Sequence, residues 1–152
     1  MEANLVSGLS KEEKLNYLNK YINDEIKIIV KYLIESYLVS GPGHEDIKAR
    51  LQELVDDSIV HLKKYIERIV AMGAVPKVKD IEISESIEKI LEDNIMLEFK
   101  GYKEMIDFLK KLNKFDDIKL YETVEDIAQE EQEHYEELKR LKGEWVDKKY
   151  NT

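Results

Sequence analysis

Hydrophobic residues recur at intervals of three and four along four long segments of this chain, which is the spacing of one buried face of an α-helix. The chain holds only 6 glycines and 2 prolines, so long helices can run without a break. The first helix is expected to start at Ser10, because Glu13 stands where it would complete a capping box. The pattern predicts an all-α fold with helices at about residues 10–39, 45–72, 84–113 and 117–142.

The connections between these helices limit how they can pack. Residues 40–44 and 113–117 form short breaks, so each flanking helix pair should be an antiparallel hairpin. Residues 73–83 form the long connection, which reaches almost 40 Å at about 3.3–3.6 Å per extended residue. The preceding helix is also about 40 Å long at about 1.5 Å per residue. We therefore predict one domain over residues 1–152, a four-helix bundle of two hairpins joined by a long crossover.

Each apolar stripe carries residues that are unusual in a helix core: Glu25, His61, Glu98, and the pair Glu131 and His134. A buried carboxylate is costly unless something neutralises it. Glu131 and His134 are three residues apart, so they share one helix face. Three carboxylates and two imidazoles near the middle of four helices predict a shared metal site in the core of the bundle.

Taken singly, these residues have ordinary structural explanations. A glutamate beside an apolar stripe is usually a solvated edge residue, and His61 alone is more often a core histidine with satisfied hydrogen bonds. Tyr32 and Tyr102 either bond the ligands through their hydroxyls or simply fill the core. A metal site is favoured because all four helices carry a candidate near mid-length.

One position breaks the pattern of this site. Ser58 stands where a second Glu-x-x-His would place its glutamate, three residues before His61. Asp57 is the nearest carboxylate, but adjacent residues differ by about 100° around a helix, so it should point away from the site.

Composition narrows the function further. The net charge is −9, from 24 Lys and Arg against 33 Asp and Glu, which argues against nucleic-acid binding and suits a protein that attracts cations. The chain has no cysteine, which excludes disulfides, thiolate sites and iron–sulfur clusters. No apolar run is long enough for a membrane span or a signal peptide, so we expect a cytoplasmic protein without a membrane partner.

Four stretches of the chain resemble the bacterioferritins, in order and over nearly the whole length. Their first helix is matched by residues 18–25 (Leu-Asn-Lys-Tyr-Ile-Asn-Asp-Glu) with Tyr32 seven positions later. Residues 61–69 (His-Leu-Lys-Lys-Tyr-Ile-Glu-Arg-Ile) resemble the second helix. Residues 97–101 (Leu-Glu-Phe-Lys-Gly) and 130–134 (Glu-Glu-Gln-Glu-His) resemble the third and fourth. The likeness extends to the smaller Dps-like ferritins that carry a bacterioferritin-type di-iron site.

The resemblance implies a ferritin-like four-helix bundle that oxidises Fe(II) with O2 or H2O2, stores iron and protects against iron plus peroxide. It implies that Glu25 and His61 bind one iron, that Glu98 and His134 bind the other, and that Glu131 bridges them. The second bridging position is Ser58 in this chain. Three outcomes stay open: a slower di-iron site, a single-metal site, or a non-catalytic binding or assembly module that keeps only the fold.

Two further comparisons with that family refine the expectation. Ile59 occupies the position of the methionine that binds haem in bacterioferritins, so no haem is expected. Too few residues follow the fourth helix for the fifth helix of the 24-subunit shells, which favours a homo-oligomer of 12 subunits or a dimer. A third alternative is a rubrerythrin-like peroxidase, although without cysteine the chain cannot carry the rubredoxin module of that family.

Overall fold

The computed structural model describes residues 8–80 and 89–151, with side chains up to residue 143. Its helices are α1 (Lys11–Leu38), α2 (His44–Ala71), α3 (Ile90–Lys111) and α4 (Ile118–Asn151). The described residues contain no strand, which confirms the all-α prediction. None of the described helices is both long enough and apolar enough to span a bilayer.

Local signals at the helix ends explain most of the boundaries. The Ser10 side chain accepts a hydrogen bond from the Glu13 backbone at 3.1 Å, and the Glu13 carboxylate accepts one from the Ser10 backbone at 3.0 Å. This is the predicted capping box. Gly41 and Gly43 turn the chain into α2 with φ of 96° and 80°, a left-handed conformation that glycine adopts without a steric cost.

Two predicted boundaries need comment. The predicted start of the third helix at residue 84 lies outside the described residues, and α3 as described begins at Ile90. The predicted end of the fourth helix near residue 142 is wrong, because α4 continues to Asn151. A single glycine inside a helix costs only about 1 kcal/mol relative to alanine, and Gly143 has helix-forming neighbours and no proline after it.

The direction of the helices fixes the topology. Helices α1 and α2 form one antiparallel hairpin, α3 and α4 form the other, and α2 also packs against α4. One apolar cluster includes Tyr21 and Phe108, and a second, at the other end of the bundle, includes Tyr32 and Leu91. Helices α2 and α3 both run from the second cluster toward the first. The connection between them must therefore return along the full bundle, as predicted.

Two asparagines of α1 hold the described part of this crossover. Asn19 accepts a hydrogen bond from the Lys77 backbone at 2.8 Å, and Asn23 accepts one from the Lys79 backbone at 2.7 Å. The Asn23 amide also donates to the Lys77 carbonyl at 2.9 Å. The crossover therefore begins its return along the surface of α1.

A buried polar group links α1 to α3 within the second apolar cluster. The Lys31 ammonium lies 2.6 Å from Glu35 and donates to the Asn94 amide oxygen at 2.5 Å, while Asn94 donates to Glu35 at 2.9 Å. All three side chains are buried. A buried charge of this kind is tolerated because its partners satisfy it.

Candidate metal centre

The five residues predicted as ligands meet in one layer between the two apolar clusters. They come from all four helices, and the exposed fraction of each is 4% or less. In sequence each lies between a residue of one cluster and a residue of the other, as Glu25 does between Ile22 and Ile28. The members of this layer are Glu25, His61, Glu98, Glu131 and His134.

The layer divides into two groups that share one carboxylate. Glu25, His61 and Glu131 form the first group, and Glu98, Glu131 and His134 form the second. Within each group the candidate ligand atoms lie within 4.8 Å of one another. A single ion at the centre of either group could reach all three side chains, and Glu131 lies within reach of both positions.

The imidazoles present the same ring nitrogen to the carboxylates. His61 Nδ1 lies 3.4 Å from Glu25 Oε1 and 3.5 Å from Glu131 Oε1. His134 Nδ1 lies 3.7 Å from Glu98 Oε2. The ring centres are 6.0 Å apart, so the two nitrogens serve neighbouring positions rather than a single one.

Several polar atoms in this layer are buried without a hydrogen-bond partner. They are Oε2 of Glu25, of Glu98 and of Glu131, together with Nδ1 of His61. An unsatisfied buried polar atom costs about 1–3 kcal/mol, and more when it is charged. Carboxylate oxygens and an imidazole nitrogen facing each other in this way are the donor set that iron, manganese and zinc accept. The residues therefore fit a metal ion.

Two outer carboxylates hold the histidine rings. His61 Nε2 bonds Glu130 at 2.5 Å, and His134 Nε2 bonds Asp57 at 2.9 Å. With Nε2 engaged on the outside, Nδ1 is left to face the layer of candidate ligands. Carboxylates in this position fix the ring and raise its basicity as a ligand.

Asp57 points out of the layer that Ser58 faces, as expected, but it has a contact that was not expected. Its side chain turns toward α4 and meets His134 there. The arrangement is reciprocal, because Glu130 of α4 in turn meets His61 of α2. Sequence reasoning missed both roles, although an acidic residue stands four positions before each histidine and could have indicated them.

Tyr32 takes one of its two predicted roles. Its hydroxyl donates a hydrogen bond to Glu98 Oε1 at 2.9 Å, and the side chain is fully buried. It therefore orients the one carboxylate that α3 contributes. Tyr102, the other candidate, is partly buried and packs against the first apolar cluster.

Burial and mutual repulsion distribute protons unevenly over this layer in the metal-free state. Burial raises the pKa of Glu131 well above its usual range, and the charge of Glu98 adds to the effect. Burial also opposes ionisation of Glu98, but hydrogen bonds from Glu131, His134 and Tyr32 prevail and lower its pKa. Two close carboxylates cannot both ionise without cost, so the proton favours Glu131 over Glu98.

The histidines are held in their charged form by the same carboxylates. Burial alone would lower the pKa of His61, but the neighbouring Glu25 carboxylate, with a contribution from Glu130, raises it to about 9. The pKa of His134 is raised for the same reason, against burial, by Glu98 and Asp57. Metal ligation through Nδ1 therefore has to displace protons from both rings.

Ser58 of α2 is buried and interacts with Glu25. Its exposed fraction is 2%. Burial raises the pKa of Glu25, and His61 and a hydrogen bond from Ser58 moderate that rise. Ser58, three residues before His61, therefore contributes a hydroxyl to this layer. Glu131, three residues before His134 in α4, contributes a carboxylate.

This architecture places the chain in a known class. Residues 15–145 match the ferritin-like domain, and the chain belongs to this family of ferritin-like four-helix bundles. Among curated proteins, bacterial ferritins of Neisseria meningitidis (strain MC58) and Neisseria gonorrhoeae are each 27% identical to it over 88 residues. That alignment covers 57% of this chain, and the chain spans 57% of the length of these relatives.

Solved structures share the fold at lower sequence identity. The bacterioferritin-related protein of Bacteroides fragilis, described as a dodecameric thioferritin, is 16% identical with a TM-score of 0.83, over 95% of this chain and 94% of that one. A ferritin-like di-iron carboxylate protein of Bacillus anthracis strain Ames is 23% identical with a TM-score of 0.78, over 88% and 99%. Both similarities concern the fold alone.

The outer carboxylate on His134 provides a first prediction. Asp57→Ala should weaken metal binding by about 10–100-fold, because the ring loses the acceptor that fixes it and raises its basicity. Asp56→Ala is the matched control, since it removes the same charge from an exposed neighbour on the same helix. Titration of both variants with Co(II), followed by its visible absorption, measures the difference. Equal affinities in the two variants would show that Asp57 does not position the ligand.

Proposed function

We propose that this protein binds iron in the layer around Glu131, oxidises Fe(II) with O2 or H2O2, and retains the ferric product as a ferritin does. The observation that carries the proposal is that one buried carboxylate belongs to both groups of candidate ligands. The unpartnered buried atoms around it support the same reading. Within the ferritin-like family, we propose a bacterioferritin or Dps-like type with a site derived from a di-iron centre.

In this proposal Glu25 and His61 hold one iron, Glu98 and His134 hold the other, and Glu131 bridges them. Iron is the substrate, and each Fe(II) supplies one electron to the oxidant. Three carboxylates stabilise a ferric ion more than a ferrous ion, because the interaction scales with the charge of the ion. Glu131 and the histidines would release their protons to solvent as iron enters, and the outer carboxylates would keep both rings aligned.

Aerobic Fe(II) oxidation by the metal-free protein tests this function. Ferric absorbance should rise faster than in buffer, and size-exclusion chromatography should find iron eluting with the protein. His61→Ala should lose the acceleration, whereas His44→Ala should keep it. His44 is the matched control, because it is only partly buried at the start of α2 and contacts the Gly41 carbonyl rather than the layer. Oxidation no faster than in buffer would overturn the proposal.

Ser58 motivates a second candidate function. With one bridging carboxylate fewer than the full pattern, the bundle would serve as a non-catalytic binding or assembly module. The buried carboxylates would then remain neutralised by protons and by the charged histidines instead of by a metal. Purified protein should contain no stoichiometric metal. Heat stability separates the two candidates, because a metal that binds only the folded state must raise the unfolding temperature. Fe(II), Zn(II) and Mn(II) should each have this effect if the first proposal holds.

We further propose a single-domain chain that forms a homo-oligomer, either a dimer or a 12-mer. Large apolar side chains on the outer faces of α1 and α2 support self-association, because a monomer rarely exposes so many together. The elution volume in the same chromatography reports the subunit number. A cytoplasmic location and the absence of haem remain predictions. The apolar side chains with an exposed fraction of 36% or more on these faces include Leu33, Ile34, Tyr37, Ile59 and Val70.

A further inference from the structure

The candidate ligands are buried, so a metal ion needs a route to them. On the face formed by α2 and α4 the two histidine rings close the layer, and each ring is bonded to an outer carboxylate. On the opposite face a cavity of about 120 Å³ lies between α1 and α3. Glu25 and Glu131 line this cavity, and each has one carboxylate oxygen that is buried without a hydrogen-bond partner. The cavity therefore reaches the layer of candidate ligands.

The outer end of this cavity, its mouth, carries one carboxylate on α1 and one on α3. The Lys20 ammonium lies between them, 2.8 Å from Asp24 Oδ2 and 2.5 Å from Glu104 Oε2. The exposed fractions of these side chains are 50% for Lys20, 47% for Asp24 and 28% for Glu104, so the mouth opens to solvent. The Tyr21 hydroxyl donates to the Glu104 carbonyl at 3.2 Å and so fixes α3 against α1 here. Two carboxylates share one ammonium, which leaves the mouth with a net negative charge.

The other charged side chains of the cavity restrict where a cation can approach. Lys27 of α1 and Lys100 of α3 also line it, and each lies about one helical turn from the carboxylate of its own helix. Their ammonium groups repel a cation. The mouth is therefore the part of the cavity at which a metal ion would first bind.

Gly101 of α3 contributes to the width of the cavity. It is one of the lining residues, and a Cβ atom added to it would meet no heavy atom within 4 Å. A long side chain at this position would extend into open space beside the cavity. The absence of a side chain thus keeps the route between the mouth and the candidate ligands wider than another residue would.

We propose that Asp24 and Glu104 form a transit site for a divalent cation, and that Lys20 is the gate of this site. The inference rests on the proposed metal binding. An arriving ion takes the place of the Lys20 ammonium between the two carboxylates, and the lysine side chain turns into solvent. A site of two carboxylates and water holds such an ion less tightly than one that adds imidazoles. The ion therefore moves on, past Gly101, to the layer of candidate ligands.

Stopped-flow mixing of the metal-free protein with Co(II) tests the inference, because visible absorption reports the arrival of Co(II) at the histidines without any turnover. Lys20→Met removes the ammonium and keeps a side chain of similar length. It should raise the association rate about tenfold, at the low end of the roughly 10–10³-fold by which electrostatic focusing changes such rates. Lys119→Met is the matched control, since it removes the same charge from an exposed position of α4 that does not line the cavity.

Two further variants should slow the entry of Co(II). Glu104→Gln removes one carboxylate of the transit site, and Gly101→Leu narrows the cavity, so each should lower the association rate about tenfold. Gly143→Leu is the matched control for the second, because Gly143 also lies in a helix with open space around its Cβ position. The dissociation constant should stay close to that of wild type in every variant, since a barrier on the route slows entry and exit alike. Leucine has a higher helix propensity than glycine, which favours folding of both leucine variants.

The outcomes separate the transit site from the proposed function. Equal association rates in Lys20→Met and Lys119→Met, or in Gly101→Leu and Gly143→Leu, would overturn the inference and leave the proposed metal binding intact. A weaker dissociation constant without a slower association in Glu104→Gln would also overturn it, since this carboxylate would then hold the bound ion. If Gly101→Leu does not fold, the lysine variants still decide. No Co(II) binding by the wild-type protein would overturn the proposed function, and the transit site would fall with it.

Discussion

Glu131→Gln should abolish the stabilisation of the protein by metal while leaving the metal-free fold intact. Wild-type protein at a free metal concentration 100 times the dissociation constant gains about 2.7 kcal/mol, or roughly 5–11 °C in unfolding temperature for a chain of this size. The variant should gain none of this, because it loses the one carboxylate that belongs to both ligand groups. Thermal unfolding with and without Zn(II) measures the effect.

The metal-free behaviour of the same variant gives an internal check. Burial raises the pKa of Glu131 and so favours its protonated form in the metal-free layer, and glutamine has nearly the same shape as a protonated glutamic acid. The variant should therefore unfold within a few degrees of wild type in the absence of metal. Glu133→Gln is the matched control, since it makes the same change at an exposed position two residues away. A Zn(II) effect that persists in Glu131→Gln would refute the assignment of this residue, and Fe(II) oxidation should likewise be lost only in that variant.

Metal affinity should rise steeply with pH. Metal ligation needs neutral imidazoles and ionised carboxylates, but the pKa of His61 is about 9 and that of Glu131 is raised well above its usual range. At pH 7 His61 holds a proton that the metal must displace, and the raised pKa of Glu131 acts in the same direction. Each displaced proton adds one factor of ten per pH unit, so His61 alone should make the affinity rise about tenfold per unit between pH 6 and 8. The slope should decrease as the pH approaches the pKa of His61.

The stability of the metal-free protein should change with pH in the opposite direction. The pKa of His61 is raised from 6.5 in the unfolded chain to about 9 in the folded one. Its contribution to the free energy of unfolding is therefore fully present below pH 6.5 and is lost as the pH rises through 9. Thermal unfolding of the metal-free protein across this pH range measures the loss.

For the metal affinity, calorimetric titration with metal in two buffers of different ionisation enthalpy counts the protons released on binding. A flat affinity between pH 6 and 8 would contradict the proton assignment in this layer.

Hydrophobic periodicity was sufficient to predict the bundle, because each helix here buries one face and the connection lengths leave few ways to arrange four helices. The same periodicity predicted that the five candidate ligands point into the core, since a residue within an apolar stripe lies on the buried face of its helix. Their assignment as metal ligands is a prediction that the Co(II) and Zn(II) titrations test.

Polar contacts between helices depend on how neighbouring helices are rotated about their axes. They could not be predicted from the apolar stripe of each helix taken separately. Asp57 lies off the buried stripe of α2, yet it meets His134 because α4 packs beside that edge. Likewise, the Lys31 ammonium lies inside the core against Glu35 and Asn94. Such polar contacts need the relative placement of α1 and α3, which composition and spacing do not contain.

The distribution of the candidate ligands between the two hairpins has a consequence for the connectivity of the chain. Glu25 and His61 belong to the first hairpin, whereas Glu98, Glu131 and His134 belong to the second. An ion held by the first ligand group, which includes Glu131, would tie the hairpins together and close a loop through the crossover. Closing such a loop removes freedom from the unfolded chain, as a disulfide does. In a protein without a single cysteine, the ion would be its only cross-link.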